Sequence, residues 1–261
     1  MKKYAVITGA GSGIGRATAK HFASKGFSLI VVDVNEDSLL TLKEELSDEI
    51  DVQVMPCDLS KEKEVFALYE KTKAYDVAVW INNAGLGNMC PILETDVQKA
   101  ILLNRVNVDA AAILTLLYAQ DYQDKEAVLI NISSWNGYSI TQGNPVYSAT
   151  KFYISALTEA LYWELERDHK PMKVKMICPA ATKTAFVRSA AAGEEKGKTK
   201  DYDDMFDKYN TAEEVAGFIY EMSQSEELIG YADGTDYSFH KTGPKLPHTY
   251  NKKEIPCLLI Q

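Results

Sequence analysis

The sequence predicts a doubly wound α/β domain, a parallel sheet of six to seven strands with helices on both faces. Three observations carry that expectation. Short apolar, β-branched runs alternate with longer helix-period segments, the pattern of a parallel sheet covered on both faces. A glycine-rich turn separates the first run from the first helix. Acids, amides, a serine and a proline recur at the carboxyl ends of the runs, the edge along which open α/β sheets bind ligands.

The first apolar run, residues 4–8, suits a buried strand. TGAGSGIG follows from Thr8 to Gly15, and RATAKHFASKG then reads as an amphipathic helix closed by Gly26. A glycine turn at a helix N-terminus presents free backbone N–H groups and a positive dipole end, which suits a pyrophosphate. The spacing G-x-x-x-G-x-G over Gly9, Gly13 and Gly15 differs from the commonest dinucleotide turn, G-x-G-x-x-G. The second run, 28–32, ends in Asp33. An acid there can hold the adenosine ribose hydroxyls and repel a 2′-phosphate, which favours NAD(H) over NADP(H). The plain alternative is a loop acid capping the next helix. Arg16, beside the turn, is a group that could tolerate the extra phosphate.

The third run, 52–55, precedes Asp58, which either accepts from an adenine amino group or caps the helix that follows. The fourth, 76–81, leads into Asn82-Asn83-Ala84-Gly85, small and amide residues that let the chain pass close to a ligand. A long helical pattern from 96 to 120 contains Asn107. A mid-helix asparagine ordinarily points to solvent or bonds local backbone. The fifth run, 127–132, opens the stretch NISSWNGYSITQGNPVYSATK, residues 131–151. Ser134 ends that strand. Tyr147 and Lys151 sit four residues apart on a helix over 146–167, so their side chains leave one face. A phenol, an ammonium and a hydroxyl held together can move a proton to or from a small-molecule oxygen. A buried ammonium beside the phenol favours the phenolate and lowers its pKa. The ordinary reading is a loop serine and a Tyr/Lys pair of chance spacing.

The same helix carries more apolar positions than one stripe needs, which points to a partner subunit. The sixth run, 173–178, ends in Pro179. Residues 180–209, small and then strongly charged, read as a mobile substrate flap. A helix over 211–222 opens on a TAEE capping box, and 227–261 forms an atypical tail with a short strand around 237–239.

At 261 residues the chain fits one large domain or two small ones, with an ample core, and the unbroken strand–helix alternation is read as a single domain over 1–261. A net charge of −9 argues against a nucleic-acid or anionic-membrane surface. No apolar leader is expected, and no segment reaches the length that spans a bilayer. Cys57, Cys90, Cys178 and Cys257 are widely spaced, with no histidine at ligand spacing. Free thiols in a reducing cytoplasm and no metal site are the expectation.

Taken together, TGAGSGIG, the NNAG at 82–85 and Tyr147-Ser-Ala-Thr-Lys151 resemble the TGxxxGxG, NNAG and YxxxK motifs of the short-chain dehydrogenase/reductase family. Ser134 and Asn107 match its serine and asparagine positions, and the likeness covers roughly residues 3–222. The resemblance implies a Rossmann-type fold, a nicotinamide cofactor, small-molecule alcohol or ketone substrates and a homodimer or homotetramer. It implies that Tyr147 is the general acid/base, that Lys151 binds the nicotinamide ribose and lowers the tyrosine pKa, and that Ser134 hydrogen-bonds the substrate oxygen. Asn107 would hold a relay water. Gly9, Ser12, Gly13, Ile14, Asp33, Asp58, Leu59, Asn83, Ala84 and Gly85 would line the cofactor along with Tyr147 and Lys151, with Pro179, Thr182 and Thr184 near the nicotinamide. Two departures stand out: Pro179-Ala180 replaces the family's Pro-Gly, and the usual C-terminal Asp-Gly-Gly region is absent.

Met89, Trp135, Tyr138 and Phe186 suggest an apolar substrate pocket for a medium or bulky, steroid-like alcohol or ketone. Lys183 and Arg188 could instead meet a carboxylate, but the plainer reading is that they are solvated flap residues. Two rival readings are an NADP(H)-dependent carbonyl reductase, against which Asp33 stands, and a non-catalytic nucleotide sensor, which would have no need of Tyr147.

Overall fold

The computed structural model describes residues 2–46, 50–186, 190 and 207–248. Its centre is an eight-stranded sheet in the order β10-β9-β6-β5-β4-β1-β2-β3. β1 (Tyr4–Thr8), β2 (Ser28–Asp33), β3 (Val52–Pro56), β4 (Val77–Asn82), β5 (Val128–Ile132) and β6 (Lys173–Cys178) are the six expected strands. All neighbours among them run parallel. Two strands extend the sheet beyond that number. β9 (Ile229–Ala232) joins β6 in parallel, and β10 (Phe239–Thr242) turns back antiparallel as the edge. The tail strand thus starts at 239, because Tyr237 has a left-handed backbone, φ 66°, that ends the preceding turn. β7 (Thr182–Lys183) and β8 (Asn210–Thr211) form a small separate pair.

Strand residues alternate between two apolar cores. Ala5, Ile7, Leu29 and Val31 face α1 (Gly13–Ser24), α2 (Glu36–Leu46) and α7 (Ala212–Ser223) through Phe22, Leu39 and Ile219. Val6, Ile30, Val32 and Trp80 face the other side, where α3 (Glu62–Thr72), α5 (Ala111–Tyr122) and α6 (Pro145–Arg167) bring Tyr69, Tyr118 and Leu165. Burial on both faces explains why the strands read as continuous apolar runs. α7 carries the expected capping box, Thr211 with Glu214.

α4 (Val97–Asn104) runs through a π-helical turn, Arg105–Ala110, into α5. The joined run Val97–Tyr122 is long and apolar enough by length and composition to cross a membrane, with a mean hydropathy of 1.5 in its most apolar window. This corrects the expectation that no segment reaches that length. The physical reason is that the run is apolar on two sides. Leu103, Ala110, Leu114 and Tyr118 pack inward, while Val97, Leu102 and Leu116 are exposed.

Candidate active site

The strand carboxyl ends open into one cleft of about 770 Å³. Every residue expected around the dinucleotide lines it, from Gly9, Ser12, Gly13 and Ile14 through Asp33, Asp58 and Leu59 to Asn83, Ala84 and Gly85. Pro179, Thr182 and Thr184 line it too, as do Ser134, Tyr147 and Lys151.

The glycine turn is shaped by close approach. Gly9 has φ 69°, and a Cβ there would lie 2.9 Å from Ala84 Cα. A Cβ on Gly15 would sit 2.1 Å from the Gly9 carbonyl oxygen. Only glycine lets α1 start so near the turn. Thr8 ties the two loops together: its hydroxyl accepts from Asn83 N and Ala84 N, both at 3.0 Å. The Asn83 carboxamide donates to Thr8 O at 2.9 Å, so this side chain holds the glycine turn in place. The α1 N-terminus has neither a side-chain cap nor an acid in its first turn, which leaves its N–H groups and dipole facing the cleft. That end suits a pyrophosphate.

Asp33 accepts from Gly11 N and Asn35 N, both at 3.0 Å, while Asn35 makes the bond to Ser38 N at the start of α2. Asp33 is therefore not the cap of that helix. Arg16 is engaged by α2, donating to Ser38 O at 3.0 Å and pairing with Glu45 at 2.7 Å. Asp58 takes Ser60 N at 3.0 Å and pairs with Lys61 at 3.3 Å, holding the loop before α3.

At the other end of the cleft, Pro145 starts α6 at its first position, where no N–H is required. Tyr147 and Lys151 are both buried, one turn apart on the helix face turned to the sheet. The Lys151 ammonium donates to Ile132 O at 2.8 Å and lies 5.6 Å from the centre of the Tyr147 ring. Burial pushes the Tyr147 phenol up to about 12, and a hydrogen bond with the Ser134 hydroxyl pulls the other way. Burial lowers the Lys151 ammonium to about 8. The expected lowering of the tyrosine by its lysine is not found: burial dominates the shift, and the opposing effect comes from Ser134 rather than from Lys151.

Ser134 begins a single 3-10 turn, Trp135–Gly137, anchored by Trp135 N to Pro179 O at 2.9 Å. Ala180 takes its place after Pro179 without a positive φ, so the family's glycine is not needed for backbone reasons here. Asn107 is buried rather than solvent-facing. The π-helical turn aims it inward: Oδ1 accepts from Leu86 N at 2.7 Å, and Nδ2 donates to Leu86 O at 2.8 Å and Thr150 Oγ1 at 3.1 Å. Its carboxamide clamps the loop after β4 to α6, and it does not line the cleft. Inserted turns of this kind commonly sit at functional sites.

Met89, Trp135 and Phe186 line the substrate end, with Phe186 5.7 Å from the Tyr147 ring. Met89 N donates to Ala190 O at 3.1 Å, which draws the start of the 180–209 segment over the 85–89 loop. Tyr138 is the exception and a correction. Its hydroxyl turns inward to Glu159, so it is absent from the cleft wall. Lys183 reaches Tyr209 at 2.8 Å. Arg188 and most of the flap, with 249–261 of the tail and Cys257, lie outside the described residues.

Asn136, Thr141 and Asn144 line the cleft as well, and sequence reasoning missed Gly234 and Tyr237 from the tail, both on the cleft wall. It also missed a buried polar network beneath the site. Asn82 Nδ2 donates to Asn131 Oδ1 at 2.9 Å and to Thr115 Oγ1 at 3.1 Å, and Asn131 Nδ2 donates to Thr158 Oγ1 at 3.0 Å. Polar residues inside otherwise apolar strand runs were the available signal. No cluster of metal-ligating side chains is found among the described residues.

A family model described as short chain dehydrogenase matches residues 3–195. Dehydrogenase/reductase SDR family member 11 of Gallus gallus is 33% identical over 194 residues, 70% of this chain and 76% of that protein. A short chain dehydrogenase/reductase from Burkholderia phymatum, solved in complex with NAD, has a TM-score of 0.78 at 26% identity, covering 87% of this chain and 88% of that one. A short-chain dehydrogenase from Sphingobium yanoikuyae, solved with NADPH, has a TM-score of 0.79 at 24% identity, covering 88% and 87%. Geometry and descent therefore agree on what the cleft was built for, and the chain is a member of the short-chain dehydrogenase/reductase family of oxidoreductases, with a Rossmann-type site for a nicotinamide cofactor.

Proposed function

We propose that the protein interconverts a secondary alcohol and a ketone with NAD(H) as cofactor. The observation that carries this reading is the convergence of Ser134, Tyr147 and Lys151 at one end of a cleft whose other end is the open α1 N-terminus. The nicotinamide, when bound, supplies or takes up the hydride.

The chain's own residues do the rest. Ser134 donates to the substrate oxygen and orients it toward Tyr147. In the reductive direction the Tyr147 hydroxyl gives its proton to that oxygen, and its raised pKa keeps it protonated at neutral pH. In the oxidative direction the phenolate takes the proton from the alcohol. Lys151, on the same helix face, would donate to the cofactor ribose hydroxyls, hydrogen bonds that favour its charged form and with it the phenolate. Asp33 would hold the adenosine ribose, while Arg16 is already engaged by Glu45 and Ser38 rather than free for a 2′-phosphate. Met89, Trp135 and Phe186 favour a medium or bulky apolar substrate. Exposed Leu116 on α5 and Tyr153 on α6 favour a homo-oligomer formed across those helices.

The test is a titration with NADH and NADPH in turn, followed by a panel of alcohols and ketones read at the reduced-cofactor absorbance. Tighter binding of NADPH overturns the role given to Asp33. Turnover confined to small charged substrates overturns the apolar pocket.

A further inference from the structure

From Tyr147 and Lys151, four-residue steps along α6 lead through Ser155 to Glu159 and Trp163, turning about 40° round the helix at each step and so leaving the cleft face. Ser155 Oγ lies 2.9 Å from Ser133 Oγ, next to Ser134. Glu159 is 3% exposed, and a buried carboxylate is stable only with partners. It has three. Oε2 accepts from the backbone N–H of Lys245 at 3.0 Å and of Leu246 at 2.8 Å, and Oε1 takes a short hydrogen bond from the Tyr138 hydroxyl. Tyr138 closes the turn that Ser134 begins, whose Gly137 N donates to Ser134 O at 2.8 Å.

The C-terminal segment is seated around the same point. The Lys245 ammonium stands 3.7 Å from the centre of the Tyr231 ring, and His248 stacks on Trp163 at 3.8 Å. Gly234 packs so near Trp135 that a Cβ would lie 3.3 Å from its indole. One carboxylate outside the cleft thus joins α6, the Ser134 turn and the tail.

We propose that Glu159 is a positioning residue: by tying Tyr138 and the 245–246 backbone to α6, it fixes the turn that presents Ser134 and Trp135 to the substrate. The inference rests on the reading of Ser134 as the group that holds the substrate oxygen. Small displacements of such a group lower turnover without weakening the nucleotide site, which lies on other loops.

The test uses the full chain carrying Glu159→Gln or Tyr138→Phe, both close in shape to the native side chain. Two readouts are taken: steady-state kinetics, and amide hydrogen exchange without cofactor. The expected result is a fall in kcat/KM for the carbonyl substrate of about tenfold, with KM for the nucleotide within about twofold. Exchange at 134–138 and 240–248 quickens in both variants, and the double variant is no worse than Glu159→Gln alone. Variants that lose thermal stability but keep kcat/KM would overturn the proposal, as would unchanged exchange at 134–138. If the native protein turns over no alcohol or ketone, the functional reading fails by itself and exchange still decides the role of Glu159. If Glu159→Gln does not fold, Tyr138→Phe decides it.

Discussion

Tyr147 and Lys151 share one buried helix face, yet their surroundings move them in opposite senses on the pH scale. Tyr147 is raised toward 12 and Lys151 lowered toward 8, both chiefly by burial. The stability consequence follows from proton binding. Between pH 8 and the ordinary lysine value of 10.5 the unfolded chain holds more protons at Lys151, so this residue makes stability rise with pH across that window. Between pH 10 and 12 the folded chain holds more protons at Tyr147, so stability falls there. Urea unfolding at pH 8 and pH 10 will show a smaller gain with pH in Lys151→Met than in the wild type, buried Lys175, likewise lowered to about 8, keeping its own share; an identical change in both proteins sinks the assignment. For catalysis, Tyr147→Phe removes the proton while keeping the ring, and kcat falls about a thousandfold, within the range typical of a lost general acid. Nucleotide affinity measured by fluorescence stays within about threefold, and a variant retaining a tenth of the activity refutes the role. These two residues were legible in the sequence because four-residue spacing on a helix states which side chains share a face. Tyr138 was not. Its apolar ring, grouped with Met89, Trp135 and Phe186, placed it at the cleft, but the turn sends its hydroxyl to Glu159, whose burial no local pattern announces.

At the level of elements, the π-helical turn between α4 and α5 does what a regular helix could not. The inserted residue rotates Asn107 toward the loop after β4, where it satisfies both backbone groups of Leu86. Asn107→Ala leaves that N–H and C=O without their partner, at a cost of about 2–4 kcal/mol. Chemical denaturation measures it, and a loss under about 0.5 kcal/mol shows that the clamp is dispensable. Residue identity pointed to Asn107 only through the family's motif, because helical periodicity alone sends a mid-helix asparagine to solvent. The strands and the glycine turn were legible for the opposite reason. Apolar runs bounded by glycine, aspartate or proline have few other ways to bury themselves. β9 escaped that logic, since a four-residue strand carries too little pattern to separate from loop, and β10 was legible only as a short tail strand placed two residues early.

For the molecule as a whole, the cleft runs along the carboxyl edge of the sheet and draws on nearly every strand-to-helix loop. A ligand that binds only the folded state therefore stabilises all of it together. NAD at a hundred times its dissociation constant adds about 2.7 kcal/mol, seen as a rise in the calorimetric Tm of several degrees. No rise with either NAD or NADP contradicts a dinucleotide site. The bulk reading allowed for an ample core from length and apolar content, but it understated one helix. Val97–Tyr122 is apolar enough for a bilayer because one side meets the sheet and the other is left outward. A residue tally cannot distinguish those two sides from a lipid-facing helix.

The polar network of Asn82, Asn131, Thr115 and Thr158 has a further geometric effect. Apolar side chains slide past one another with little change in energy, so a helix packed only by leucines could settle at several heights on a sheet. Directional bonds do not allow that. A shift of α6 by one residue, about 1.5 Å, would carry Thr158 out of reach of Asn131 and leave a buried amide unpaired. The network acts as a vernier between sheet and helix. It selects the one axial setting in which the phenol carried three turns earlier on α6 comes level with the end of β5.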